Sequence, residues 1–212
     1  MRSRPPPENL PGPYTARVTA SPPKLPDDLP AIAQITSPAL REAIVRCWSD
    51  SLSRSPYESL AVSPQAPHMP SRPLLLHVNE VNARTLELIE VAKKDYGLRP
   101  EHDVTLATAI LHDVDKPILY RWDGASFSYA EGRSLSDHGA VGAELCVAHG
   151  IPLEIAEMVR HHSAFASEGL PGTVEGTIVH YADFVSNDFA AILSGVDTIH
   201  ASTRPVPKER SD

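Results

Sequence analysis

Leu111-His112-Asp113-Val114-Asp115-Lys116 is the stretch on which the reading of this chain turns. The residues before it, with Val104, Ala107, Ile110 and Leu111 at helical spacing, predict a helix over about 103–113. Pro117 prevents that helix from continuing. A His-Asp pair is therefore delivered at the end of an apolar helix. Imidazole nitrogen and carboxylate oxygen are ligands for zinc, iron and manganese, and the pair has company. His77 lies upstream; His138, the tandem His161-His162 and Asp183 follow, each within or at the end of an expected helix. Burying an unpaired carboxylate or imidazole is costly. Asp113 follows Ile110 and Leu111, and Asp183 lies between Val179 and Val185, so a cation would compensate both acids at once. The spacing thus predicts several helices converging on one metal centre.

Working outward, a helix over 74–96 carries Leu74, Val78, Val81, Leu88, Ile89 and Ala92 and stops at Gly97. A helix over 137–149 stops at Gly150, Pro152 opens another that runs to His162, and a last long helix covers 174–194 before Gly195. Between them the period changes. Residues 118–130, with Asp123-Gly124 between two aromatic-rich runs, predict a small β-hairpin. His102-Asp103 also forms a His-Asp pair, but it follows Pro100 at a helix start, where Asp103 reads as an N-cap. His68, His149, His180 and His200 read as ordinary surface or hydrogen-bonded histidines, and Asp188 as a solvated helix residue.

Of the 21 prolines, 15 fall in residues 1–73, so residues 1–36 read as an extended or disordered arm. Within 37–73, Ser37 and Pro38 start one helix bearing Leu40, Ile44, Cys47, Trp48 and Leu52, and 55–73 reads as loop. The expected organisation is arm 1–36, helix and loop 37–73 packing on the core, metal-binding helical domain 74–200, and a frayed tail 201–212. Hydrophobic residues make up 42% and aromatics 6%, enough for a mainly aliphatic core. A net charge of −8 argues against a nucleic-acid duplex as partner. Cys47 and Cys146 read as buried thiols, and without a Cys-x-x-Cys a thiolate zinc site is excluded. Neither an apolar leader nor a membrane-length apolar run is present, so the expectation is a cytoplasmic protein without a membrane partner.

The ligand order resembles the HD superfamily of metal-dependent phosphohydrolases over residues 74–194. Its His-Asp-x-Gly-Lys stretch stands here as His112-Asp113-Val114-Asp115-Lys116, with Asp115 in place of the glycine and Pro117 after the lysine. The resemblance implies an all-α helical bundle, here with a β-hairpin insertion and a Pro-rich N-terminal arm. It implies His77, His112, Asp113 and Asp183 as a basic metal set. His138, in a His-x-x-x-Gly-Ala-like segment, and His161 or His162 imply a second ion, with Asp113 bridging two divalent ions drawn from Fe, Mn, Co or Zn. His162 continues the helical face better, although both members of the tandem remain candidates. The Gly-Tyr-Pro signature of the cyclic-di-nucleotide branch is absent; Glu168-Gly169-Leu170-Pro171 is a poor substitute.

The implied activity is hydrolysis of a small phosphorylated or nucleotide-like substrate by a metal-bridging hydroxide, with Asp113 and Lys116 as catalytic groups. Lys116, Tyr120, Trp122, Arg133 and Arg160 are the candidate contacts to a small anionic substrate. The alternative implied by the same ligand set is a mixed-valence di-iron oxygenase cleaving a C–C or C–P bond with O2. A regulatory module without catalysis is a third reading, disfavoured by the intact ligand order. Homo-oligomerisation is left open.

Overall fold

The apolar run before the His-Asp pair forms a short, almost wholly buried helix, and the rest of the chain is arranged to support its end. In the computed structural model, which describes residues 25–163 and 172–203, this helix is α4 (His102–Leu111), buried continuously from Thr105 to Leu111. The last carbonyls of a helix have no intrahelical partner. Here α2 (Pro38–Ser53) supplies a partner from behind: Trp48 Nε1 donates to the Ile110 carbonyl at 3.1 Å, and Ser51 Oγ holds the turn after α4 by donating to the Val114 carbonyl at 2.5 Å. The Ser37 side chain caps α2 by accepting from Leu40 N at 3.3 Å, with Pro38 in the first turn.

Two long helices flank α4: α3 (Leu74–Tyr96) and α8 (Val174–Ser194), which end at left-handed Gly97 and Gly195. They pack on α4 and on each other, while α6 (Ala140–Ala148) packs on α7 (Leu153–His161), and α7 on α4. The main core joins Ile44, Cys47 and Trp48 of α2 to Leu106 and Ile110 of α4 and to Ile155 and Val159 of α7. It is largely aliphatic, and both cysteines are buried and free. The fold is all-α, with two small antiparallel sheets added. Among the described residues no helix is long and apolar enough to cross a membrane.

The structure differs from the sequence reading at several places. Residues 25–36 are not extended: α1 (Leu25–Asp28) and a 3-10 turn at Pro30–Gln34 place Leu25, Leu29, Ile32 and Ile35 in the core. Proline at a first helical turn costs nothing there, so proline density did not report loop. The expected loop 55–73 contains a hairpin, β1 (Pro64–Ala66) and β2 (Met69–Pro73), pairing Pro64 with Pro73 and Ala66 with Met69 across an irregular register. It is two-stranded, so each strand has a free edge where a missing N–H is tolerated. The second hairpin, β3 (Tyr120–Trp122) and β4 (Phe127–Tyr129), is as expected, but Ile118 and Leu119 belong to α5 (Lys116–Leu119), where Pro117 starts a helix it was expected only to block. Helix α6 begins at Ala140, after a 3-10 turn at Leu135–Asp137, rather than at 137. Asp103 does not cap its own helix: it lies in the first turn of α4 and accepts from Thr36 N and Ser37 N, each at 2.9 Å, and from Thr36 Oγ1 at 2.7 Å. Residues 1–24 of the expected arm, Glu168–Pro171 and residues 204–212 of the tail lie outside the described residues.

Candidate metal centre

Four imidazoles aim their Nε2 atoms at the two oxygens of Asp113. His77 and His112 each lie 3.1 Å from Oδ2, while His138 and His162 lie 3.5 and 3.6 Å from Oδ1. Asp183 Oδ1 completes the first group, 3.1 Å from His77 Nε2 and 3.9 Å from His112 Nε2. Metal–ligand bonds of about 2.1 Å at tetrahedral or octahedral angles separate neighbouring donors by about 3.0–3.4 Å, close to the spacing found here. Two buried groups, His77–His112–Asp113 and Asp113–His138–His162, can each hold an ion and share the Asp113 carboxylate.

The opposite nitrogens explain why these Nε2 atoms are free to ligate. His112 Nδ1 lies 2.7 Å from the Ala109 carbonyl and His162 Nδ1 2.7 Å from the Val159 carbonyl, three residues back in each case. A carbonyl only accepts, so Nδ1 carries the proton and Nε2 keeps its lone pair. His77 Nδ1 lies 3.1 Å from Ser186 Oγ, whose own proton goes to Glu80 Oε2 at 2.8 Å. His138 Nδ1 lies 3.1 Å from Asp115 Oδ1.

The charges fit a cation. Asp113, Asp115 and Asp183 are buried, with Lys116 the buried ammonium beside them; its Nζ is 2.5 Å from Asp113 Oδ2. Burial alone would push the Asp113 carboxyl up, but His112 and Lys116 beside it hold it well below the usual carboxylate range. Burial likewise opposes ionisation of Asp183, and the neighbouring His77 and His112 imidazoles draw its carboxyl down. Asp113 Oδ2 has the Lys116 ammonium beside it, but Asp113 Oδ1 and His162 Nε2 are buried with no partner in hydrogen-bonding geometry. Orphaned donors and acceptors at this depth are expensive, and divalent cations would satisfy them.

The tandem histidines part company. Successive helical residues point about 100° apart, so only one can face the centre. His162 does, whereas His161 is partly exposed, lies 3.7 Å from Glu157 Oε2 and belongs to neither group. Gly139 is required where α6 approaches α7: its φ is +83°, and a Cβ there would lie 2.6 Å from the Arg160 carbonyl oxygen. That approach brings His138 to the centre.

A cavity of about 670 Å³ adjoins these groups and is lined by Lys116, Tyr120, His138 and Asp183, together with His68, Tyr129, Phe184 and Asn187. Of the candidate substrate contacts, Lys116 and Tyr120 line it; Trp122, Arg133 and Arg160 do not. Trp122 lies at the far end of β3, roughly 7 Å beyond Tyr120 at about 3.3 Å per residue. Arg133 faces Asp137 at 3.5 Å, and Arg160 donates to Glu157 at 3.4 Å on the outer face of α7. His68, read from sequence as an ordinary histidine, is placed at the cavity by the β1–β2 turn, which carried no recognisable strand signal. Asp115, read as a departure from a glycine, is wholly buried against His138.

Comparison with known proteins identifies a family. The family model described as HD domain matches residues 83–188. A dihydroneopterin 2',3'-cyclic phosphate phosphodiesterase of Methanocaldococcus jannaschii is 31% identical over 111 residues, covering 52% of this chain and 44% of that protein. The chain therefore matches less than half the length of this relative. No solved structure matches significantly.

Proposed function

The chain belongs to the HD-domain family, and on that premise we propose that it is a metal-dependent phosphohydrolase of small phosphorylated substrates. The observation that carries the reading is the convergence of four imidazole Nε2 atoms on the two oxygens of the buried Asp113 carboxylate. His77, His112, Asp113 and Asp183 would hold one divalent ion; His138, His162 and Asp113 would hold a second. Bound ions of this kind activate water and neutralise phosphoryl oxygens.

The rest of the chemistry belongs to the side chains. Asp113 presents one oxygen to each group and fixes their separation. Lys116, at the cavity floor, offsets charge on a non-bridging phosphoryl oxygen as it builds up in the transition state. Tyr120, held edge-to-face against Phe127 and Tyr129 at ring distances of 5.2 and 5.8 Å, gives the cavity a rigid aromatic wall. Tyr129 and Phe184 add planar surface. A phosphodiester joined to a planar ring, the chemical class named for the archaeal relative, matches such a cavity. That named activity favours hydrolysis over the di-iron oxygenase reaction.

The test is an anaerobic preparation assayed for metal content, ester cleavage and oxygen uptake. The panel comprises bis-p-nitrophenyl phosphate, 2',3'-cyclic nucleotides and phosphomonoesters. Cleavage of a diester that is lost with chelator and restored by manganese or zinc supports the proposal. Oxygen consumption coupled to bond cleavage, with no ester hydrolysed, overturns it.

A further inference from the structure

The four histidines of the centre differ in what holds them. His112 and His162 donate to backbone carbonyls, and His77 to a serine hydroxyl. His138 alone of the four is held by a carboxylate, that of Asp115, with Nδ1 at 3.1 Å from Oδ1 and 3.3 Å from Oδ2. Asp115 is itself fixed: Oδ2 accepts from Gly139 N at 2.7 Å, and the residue has no exposed surface. It also stands where the resembling family carries glycine.

We propose that Asp115 is a positioning residue for the His138–His162 half of the centre, fixing the His138 ring so that Nε2 faces Asp113. The inference rests on the two-ion reading above and adds a role for a residue outside the ligand set. A carboxylate accepts and cannot donate, so the proton of the neutral imidazole is kept on Nδ1 and the Nε2 lone pair is kept free. A carboxylate behind a histidine also makes it a stronger donor to a metal, an effect a backbone carbonyl supplies more weakly. Gly139 contributes twice, through its N–H to Asp115 and through the left-handed backbone that admits α6 beside α7. Asp115, His138 and Gly139 thus form one unit in which the side chain that departs from the family pattern orients its neighbour's ligand.

Asp115→Asn in the full chain isolates this role, because shape is preserved. The amide oxygen can satisfy the Gly139 N–H, which turns the amide NH2 toward His138 Nδ1 and drives the ring proton to Nε2. Zinc(II) binding by equilibrium dialysis with elemental analysis would be measured for the wild type, Asp115→Asn, His138→Ala and the double variant. Nitrogen-15 spectra of the zinc-loaded histidine rings would be recorded alongside. The expected result is two zinc ions in the wild type. In Asp115→Asn one ion stays with unchanged affinity and the other is weakened about 10–100-fold. The double variant should be no worse than His138→Ala, and wild-type His138 should carry its proton on Nδ1. Undiminished binding of both ions by Asp115→Asn overturns the positioning role and leaves the two-ion reading standing. Simultaneous loss of both ions also overturns it, since that is the mark of a general structural role. A wild type that holds fewer than two ions overturns the two-ion reading itself and leaves Asp115 no second ion to serve.

Discussion

The two side-chain groups proposed to hold metal share Asp113 but are built by different means. On the His77–Asp183 side, the ligands are held by a closed circuit of side chains from distant parts of the sequence. His77 meets Ser186, and Ser186 donates to Glu80. Arg72 bridges Glu80, at 2.5 Å, and Gln65. Gln65 donates to Asn187 at 2.8 Å, and Asn187 to Asp183 Oδ1 at 2.6 Å, which returns to His77. On the His138–His162 side, support is sparse: Asp115 behind one ring and the Val159 carbonyl behind the other. A circuit distributes the consequence of losing any one member, whereas a single support does not. The first half should therefore resist distal substitutions that the second half cannot.

The largest effect falls on the atom pair the halves share. Asp113→Ala should empty both, taking bound zinc or manganese from two ions to none and abolishing ester cleavage; retention of full metal content would contradict the bridging assignment. Next is Lys116→Ala, which removes the neighbouring ammonium but no ligand. Metal content should survive while turnover falls about 10²–10³-fold, the loss typical of one group stabilising transition-state charge. If metal content falls with turnover instead, Lys116 serves the carboxylates rather than the substrate. Arg72→Ala tests the circuit. The ion at His77 and Asp183 should bind up to about tenfold more weakly, with the other ion unaffected, because Ser186 and Asn187 still hold their ligands directly. Equal weakening of both ions would show that the halves are not independent.

The residues that converge on Asp113 were legible in the sequence mainly where they stand on or just beyond an apolar helix, as His77, His112, His162 and Asp183 do; His138 instead precedes α6. That period fixes where α4 and α7 end, and His112 and His162 follow from it, whereas His77 and Asp183 lie within α3 and α8. The helical face favoured His162 but left His161 a candidate. What holds the ligands was much less legible. Gln65, Arg72 and His68 come from a proline-rich stretch with neither helical nor strand periodicity, and the hairpin there exists because its turn packs Ala66 and Met69 against Ala190, Ala191 and Val196. Contacts that depend on two remote segments meeting leave no local signature. Asp115 had a signature, the replacement of a glycine, but its meaning depended on Gly139 and His138 arriving beside it from a different helix. Of the five substrate contacts expected from the sequence, only Lys116 and Tyr120 line the cavity, because only the end of the hairpin nearest α5 reaches it and Arg133 and Arg160 pair with acids elsewhere.

Asp103 sharpens the comparison by lying outside both halves. It belongs to the second His-Asp pair, yet it ties Thr36 and Ser37 to the start of α4 instead of facing a metal. Burial opposes its ionisation, but the N–H and hydroxyl of Thr36 and the N–H of Ser37 draw its carboxyl down from 3.8 to about 2. A carboxylate whose folded value is depressed stabilises the fold above its unfolded value, and that stability is lost as pH falls through the folded one. The contribution, at most about 2 kcal/mol, is complete above pH 4 or so and disappears between there and pH 2. Asp103→Ala should lower the unfolding free energy by about 1–2 kcal/mol at neutral pH and by progressively less below pH 4. Zinc stoichiometry should stay at the wild-type value throughout the neutral range. Chemical denaturation at several pH values reads the first effect and metal analysis the second. A constant stability difference down to pH 2 would mean that packing, not the ionised carboxylate, is what Asp103 contributes.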